Sequence, residues 1–243
     1  MNLDTSVFSV LSAASENDRT SFLRLQQVIR THVQPYTYLE IGSEIGGTLV
    51  PYLLDDTCKS AVSIDLRPLE VPDERGVVFD YGTANTTARM LDTLTKAVGS
   101  VPLRKLTCLV CDASSVRVDQ LPARPQFAMI DGEHTNTACF SDVISLLPLI
   151  ADDAVIAFHD ANLICDAIEN AEKMLTHIGI EHATVFLPDC VAAIGLRGMA
   201  NVVRSELSPF ALERTAYLAK SRHDRIDTMI YMRQNPSKAW RSI

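Results

Sequence analysis

The chain has 243 residues, 47% of them apolar, and a formal net charge of −8. That apolar content supplies a sizeable core and excludes wholesale disorder, and the length fits one α/β domain with decoration. The acidic balance argues against a nucleic-acid binder that works through a broad basic face. No run of eighteen apolar residues is present, and the N-terminus lacks the basic start of a signal peptide. We therefore expect a cytoplasmic protein that engages neither nucleic acid nor membrane. The six cysteines (58, 108, 111, 139, 165 and 190) lie mostly in apolar segments, as buried reduced thiols do. The CxxC spacing of Cys108 and Cys111 falls in a predicted strand, not at a metal knuckle.

A capping-box-like start at Ser15-Glu-Asn-Asp18 opens a helix whose apolar positions Phe22, Leu25, Val28 and Ile29 recur at helical spacing up to Pro35. A short strand, Tyr36–Ile41, then runs into Gly42-Ser-Glu-Ile-Gly-Gly47 and a helix with Pro51 in its first turn. The next apolar run, Ala61–Ile64, stops at Asp65. Residues 66–105 read as an insertion, with an extra strand at Val77–Phe79 and a helix over Thr86–Val98. Strands follow at Leu106–Val110 before Asp112, at Phe127–Ile130 before Asp131, and at Ala154–Phe158 before His159 and Asp160. Helices are predicted over Thr135–Ile150 and Ile164–Ile178. Thr184–Leu187 and Val191–Gly195 form a terminal hairpin, and a mostly helical tail follows Pro209. The expected division is an N-terminal helical segment (1–35), a central domain (36–200) and a C-terminal helical tail (201–243). The tail's apolar stripe is expected to pack on the domain, close the site or pair two copies, and Trp240 to anchor it locally.

Alternating short apolar strands and helices imply a parallel sheet covered on both faces. In such sheets ligands bind outside the carboxyl ends of the strands, at the topological switch point. Five successive strands end in an acid: Glu40, Asp65, Asp112, Asp131 and Asp160. That placement locates a site. The glycines of the first loop let backbone approach a ligand, and the helix start supplies free amides. A plain strand-to-helix turn is the bland alternative. A carboxylate in the position of Asp65 accepts ribose hydroxyls, unless it is only a solvated strand end. Asp112 and Ala113 would lie beside an adenine. The three together point to an adenosine-containing cofactor.

These residues carry a resemblance. "YLEIGSEIGGT" is similar to the first motif of the class I S-adenosylmethionine-dependent methyltransferases, and "VSIDL" to their second. "FAMIDGEHTNTACFSDVISLLPLIADDAVIAFHD" resembles the branch that holds bacterial natural-product O-methyltransferases and cephalosporin-hydroxylase-like proteins. The resemblance covers roughly residues 36–196. It implies a Rossmann-like α/β fold with a seven-stranded, mostly parallel sheet whose last strand is antiparallel. It implies that Glu40, Gly42, Ser43, Gly46, Asp65, Asp112 and Ala113 bind the methyl donor, S-adenosylmethionine. It also implies that Asp131 and Asp160 hold Mg2+ or another divalent metal, with His134 as general base toward a hydroxyl of a small-molecule acceptor.

That division is chemically sound, since a neutral imidazole can take an alcohol proton and a divalent ion stabilises the alkoxide. His159 stands where metal-dependent relatives have a carboxylate. It is expected either as a third ligand, favouring a transition metal, or as a hydrogen-bond partner of Asp131 that shapes the loop. His134 has a turn-stabilising alternative, and Asp142 reads as a surface or capping contact. Arg67, Asp73, Glu74 and Arg75 read as a solvated loop, or else a substrate lid. A non-catalytic or regulatory S-adenosylmethionine-binding protein on the same fold is the competing function. A dinucleotide oxidoreductase is disfavoured by the wide glycine spacing. The acceptor and the oligomeric state are left open.

Overall fold

A computed structural model describes residues 3–235; Trp240 and the end of the tail lie outside the described residues. The first helix, α1 (Glu16–His32), starts where Ser15 Oγ accepts the Asp18 amide and the Asp18 carboxylate accepts the Ser15 amide. This reciprocal cap satisfies two helix-end donors. Then come β1 (Tyr36–Ile41), α2 (Val50–Leu54), β2 (Cys58–Ile64), β3 (Glu70–Pro72), β4 (Val78–Asp80), α3 (Thr87–Val98), α4 (Ser100–Leu103) and β5 (Leu106–Leu109). The second half contains β6 (Phe127–Ile130), α5 (Asn136–Leu146), β7 (Val155–Phe158), α6 (Cys165–His177), β8 (His182–Phe186), β9 (Ala192–Leu196), α7 (Gly198–Leu207) and α8 (Arg214–Gln234).

Seven strands form one sheet in the order β5-β2-β1-β6-β7-β9-β8. All pairings are parallel as far as β7, and β9 runs antiparallel to both β7 and β8. This is the expected fold. The chain winds outward from β1 through β2 to β5 and then crosses to β6, so the switch point lies between β1 and β6. Side chains alternate along each strand. Leu39, Ile41, Val62 and Ile130 pack under α5 and α6, whereas Tyr38, Phe127 and Met129 pack under α1, α2 and α7. No helix among the described residues is long and apolar enough to cross a membrane. All six cysteines are free thiols.

Three features were not legible as elements. β3 pairs with β4 in a separate two-stranded sheet, where one isolated strand was expected. α7 begins at Gly198, ahead of the helical tail expected from 201, and α5 ends at Leu146 rather than near Ile150. The 67–75 segment is not a solvated loop: the side chains of Arg67 and Asp73 are buried, Arg67 against Asp65 and Asp73 beneath Arg75. The tail helix α8 packs on α6 and β8 through Tyr217, stacked on Phe186, and through Arg214, Arg222 and Arg225 bound to Glu172 and Asp166.

Candidate active site at the strand ends

One cleft opens at the carboxyl ends of β1, β2, β5, β6 and β7. Gly42 begins its floor. Its φ is +83°, and a Cβ added there would lie 2.1 Å from the carbonyl oxygen of Asp131. Only a glycine lets the loop cross the end of β6 this closely. Asp65 holds the loop from the other side. One carboxylate oxygen accepts the amides of Ser43 and Glu44 at 2.9 and 3.0 Å, and the other accepts the Arg67 amide at 2.7 Å. The Arg67 guanidinium pairs with Asp65 and also donates to the Glu44 carbonyl. Ser43 lines the cleft, with its hydroxyl buried beside the Glu40 carboxylate. Gly46, with φ +85°, lies off the cleft; a Cβ there would press on Leu94 of α3 at 2.9 Å.

Glu40 is not at the strand end. It lies inside β1, fully buried, on the Tyr38 side of the sheet. Tyr38 donates to one of its oxygens at 2.6 Å and Thr48 to the other at 2.8 Å. It therefore braces the loop from below and does not line the cleft. Burial, reinforced by the charge of Asp131, pushes its carboxyl up to about 7 from an ordinary 4.5. An acid with a raised folded-state pKa destabilises the fold as pH climbs from the unfolded value to the folded one. Unfolding by urea should therefore show a loss of about 3 kcal/mol between pH 4.5 and 7 from this group, flat above. Glu40→Gln should remove this group's share of the slope; an unchanged slope would place the titration elsewhere.

Asp112 caps the turn after β5, accepting the Ser114 amide at 2.8 Å, and lines the cleft with Ala113. Asp142 of α5 lines it too, half-buried rather than on the surface. Burial, with Asp112 and Glu133 nearby, pushes its carboxyl up to about 7. In the sequence Asp142 belongs to the motif that carries the family resemblance and was read as a surface or capping contact; its helical phase with Cys139 and Val143, both buried, points inward instead.

At the far end of the cleft β6 and β7 deliver a cluster of charged groups. His134 Nε2 lies 3.2 Å from Asp160 Oδ2 and 3.9 Å from Asp131 Oδ1. The ligand atoms of these three residues lie within 4.8 Å of one another, the spacing that shared coordination of one ion requires. The other His134 nitrogen, Nδ1, is buried without a partner.

His159 lies beside this group. Its Nδ1 meets Asp131 Oδ1 at 2.9 Å and lies 3.4 Å from Asp160 Oδ2, while Nε2 faces Asp18 Oδ2 at 3.6 Å. Burial alone would lower the pKa of this ring, but Asp131 and Asp160 outweigh it and hold it well above the ordinary value. Burial likewise pushes Asp160 up, yet His159 and His134 hold it low. His159 thus sits among three carboxylates, hydrogen-bonded to Asp131 as one of its two expected roles had it. Asp18, which the sequence showed only as a helix cap, reaches it from α1.

The β3–β4 hairpin walls the cleft. Glu74 accepts the Asn136 amide at 2.6 Å and so caps α5, its own amide donates to the His134 carbonyl, and the Phe79 ring meets the His134 ring edge-on. Glu70, Val71 and Tyr81 line the cleft, as do Leu11–Ala14 of the N-terminal segment.

A parallel sheet with a glycine loop, two strand-end acids beyond it and one shared cleft defines a nucleotide-type binding protein of the doubly wound class. Residues 39–161 match the sequence profile of a family described as a methyltransferase domain. The match spans half of the chain, which belongs to that family: it is a class I methyltransferase with S-adenosylmethionine as its cofactor. Among solved structures, a "putative caffeoyl-CoA O-methyltransferase" from Staphylococcus aureus superposes with a TM-score of 0.52 at 12% identity, covering 81% of this chain and 93% of that one. The calicheamicin methyltransferase CalS11 gives a TM-score of 0.53 at 14% identity, over 79% and 89%. At such identities the likeness shows the fold alone. A search of curated protein sequences finds no match.

Proposed function

We propose that this enzyme moves the methyl group of S-adenosylmethionine to a hydroxyl of a small molecule. The observation behind the proposal is that the loop held by Asp65 and the group Asp131, His134 and Asp160 share one cleft. Donor contacts would come from Gly42, Ser43, Asp65, Asp112 and Ala113, with Glu40 and Gly46 shaping the loop behind them. Asp142, on the cleft wall, gives such a ligand a further hydrogen-bonding position.

The donor set of two carboxylates and one imidazole suits a divalent cation that accepts both oxygen and nitrogen, such as Mn2+, better than Mg2+. Asp131, His134 and Asp160 would hold it, and His159 would orient Asp131 from behind. A bound ion would fix the acceptor oxygen and favour its alkoxide. His134 has one nitrogen for this work, because Nδ1 is shut in. Nε2 can hold a metal or take the acceptor's proton, but not both at once. The 3.2 Å contact with Asp160 favours the proton-taking reading where no ion binds, since that carboxylate would stabilise the resulting imidazolium.

Calorimetric titration of S-adenosylhomocysteine, then of Mn2+, into the EDTA-treated protein tests both readings. We expect donor-product binding, and separate Mn2+ binding that disappears in Asp131→Ala. Donor-product binding without metal heat would remove the ion and leave His134 as the proton acceptor. Failure to bind S-adenosylhomocysteine would support neither reading.

A further inference from the structure

Asp18 is 2% exposed and does not line the cleft. A carboxylate buried in this way is costly unless its oxygens are used. Both are used, and each leads to a different strand-end acid. Oδ1 accepts the Cys190 amide at 3.0 Å, in the turn between β8 and β9. The carbonyl of Cys190 in turn accepts the Ala161 amide at 2.8 Å. Ala161 is fully buried and follows Asp160, a non-glycine residue whose φ of +50° needs support from its surroundings. Oδ2 accepts the Ser15 amide at 2.9 Å and stands 3.6 Å from His159 Nε2. The other nitrogen of that ring meets Asp131 Oδ1 at 2.9 Å.

The neighbours of both paths hold them still. Phe22, one turn after Asp18 on the same face of α1, packs its ring against the His159 ring, with centroids 5.6 Å apart. The helix thus holds the imidazole at one edge and one face. The turn that carries Cys190 is anchored as well: the Asp189 carboxylate accepts the Ser15 hydroxyl at 2.6 Å, and the Asp189 carbonyl accepts the Tyr217 hydroxyl at 3.1 Å. Burial alone would raise the Asp18 carboxyl, but His159 and the Cys190 amide hold it below its ordinary value. Asp18, Phe22 and Cys190 all lie outside residues 39–161, the stretch that matches the family profile. This support is supplied by the flanking segments of the chain.

We propose, resting on the reading that Asp131, His134 and Asp160 carry the chemistry, that Asp18 is the positioning residue for both strand-end acids. One arm runs through the Cys190 peptide to Ala161 and fixes the backbone that presents Asp160. The other runs through His159 and fixes the carboxylate of Asp131. Groups that must share an ion or an acceptor oxygen have to be held to within about 0.5 Å, and two strand ends joined only by their ladder do not ensure that. The N-terminal helix is therefore a working part of the site and not an appendage to it.

The test compares Asp18→Ala with the isosteric Asp18→Asn, which guards against a folding defect. Ile29→Ala is the stability control, since it empties a fully buried position about three turns further along α1. Two reporters that Asp18 does not touch are read by NMR in EDTA at one fixed pH. They are hydrogen exchange of the Ala161 amide relative to that of Ile156 in β7, and the imidazole nitrogen resonances of His134. In Asp18→Ala, Ala161 should exchange roughly 10- to 100-fold faster relative to Ile156, the worth of a lost charge-assisted hydrogen bond. The His134 resonances should move in the same variant, and Asp18→Asn should show both effects more weakly. Ile29→Ala should speed both amides together and leave the His134 resonances in place. Calorimetry should find S-adenosylhomocysteine affinity at the wild-type level in all three. Reporters that stay at their wild-type values in both Asp18 variants overturn the proposal, and so does Ile29→Ala reproducing the Asp18 effects. Movement of only one reporter in Asp18→Ala overturns the two-armed role. Failure of the wild-type protein to bind S-adenosylhomocysteine would instead sink the methyltransferase reading, and the NMR reporters would still decide the role of Asp18.

Discussion

Gly42→Ala is expected to destabilise the protein by about 2–5 kcal/mol and to abolish donor binding. Two costs add. The left-handed φ of +83° costs an alanine about 1–2 kcal/mol, and forcing a methyl into packed structure costs about 1–3 more. The second cost is hard to relieve, because the methyl would meet backbone, at 2.1 Å from the Asp131 carbonyl oxygen and 2.6 Å from Gly132 Cα. A flexible side chain could swing away; the end of β6 cannot move without moving Asp131. The Asp131 amide is itself bonded to the Ile41 carbonyl at 2.8 Å, so loop and strand end are locked together. Gly179→Ala is the control. Gly179 also has a positive φ, +73°, but a Cβ there meets nothing within 4 Å, so it should cost only the backbone share. Thermal unfolding and calorimetry with S-adenosylhomocysteine read both effects. If Gly42→Ala unfolds and binds like Gly179→Ala, the close approach of loop and strand end is not what requires the glycine.

The same crossing explains how much of the site could be read from sequence. Strand-end acids are legible because a buried parallel strand is a continuous apolar run, and the first charge after it marks where the chain leaves the sheet. Asp65, Asp131 and Asp160 follow that rule. Glu40 breaks it: β1 continues for one more residue, and alternation turns Glu40 into the layer beneath α2, where Tyr38 and Thr48 satisfy it. An apolar-to-charged transition does not distinguish a strand's end from a buried acid one residue short of it. The hairpin of β3 and β4 was half visible, since Val77–Phe79 has strand composition while Glu70–Pro72 carries a proline and an acid. Its partner across the turn is set by tertiary contact, through Glu74 on α5 and Asp73 beside His134. Neither is a sequence-local signal.

The two histidines show a different limit. Spacing places His134 on the turn after β6 and His159 at the end of β7, and says nothing about which ring nitrogen meets which carboxylate. The partner that spacing least suggests is Asp18, more than 100 residues away in the chain, which meets His159 from the start of α1. With acids on both sides the ring's pKa is held well above its ordinary value, and His134 meets the same two strand-end acids from the turn after β6. α1 was legible as a helix with a cap; its second task was not, because the cap residue's carboxylate serves both.

That arrangement makes the two histidines separable by experiment. His159→Leu removes the imidazole that pairs with Asp18, Asp131 and Asp160, whose carboxylates are then left facing one another with little solvent. Breaking a buried charge pair in this way costs about 3–5 kcal/mol, far more than the pair itself contributes. The loss should be read from urea unfolding at neutral pH in EDTA. If a divalent ion binds the cluster, the same variant should bind it more tightly than the wild-type protein does. The imidazolium no longer competes with it for Asp131 and Asp160, and added Mn2+ should restore part of the lost stability. His134→Ala should behave oppositely. Its fold and its affinity for S-adenosylhomocysteine should stay near wild type, while Mn2+ affinity falls by at least about tenfold. Methyl transfer should drop by roughly 10²- to 10⁴-fold, as loss of a positioned acid–base or ligand group does. Weaker Mn2+ binding in His159→Leu would make His159 a ligand after all. An active His134→Ala would move the chemistry away from the 134–160 contact and leave Asp131 and Asp160 to position the acceptor alone.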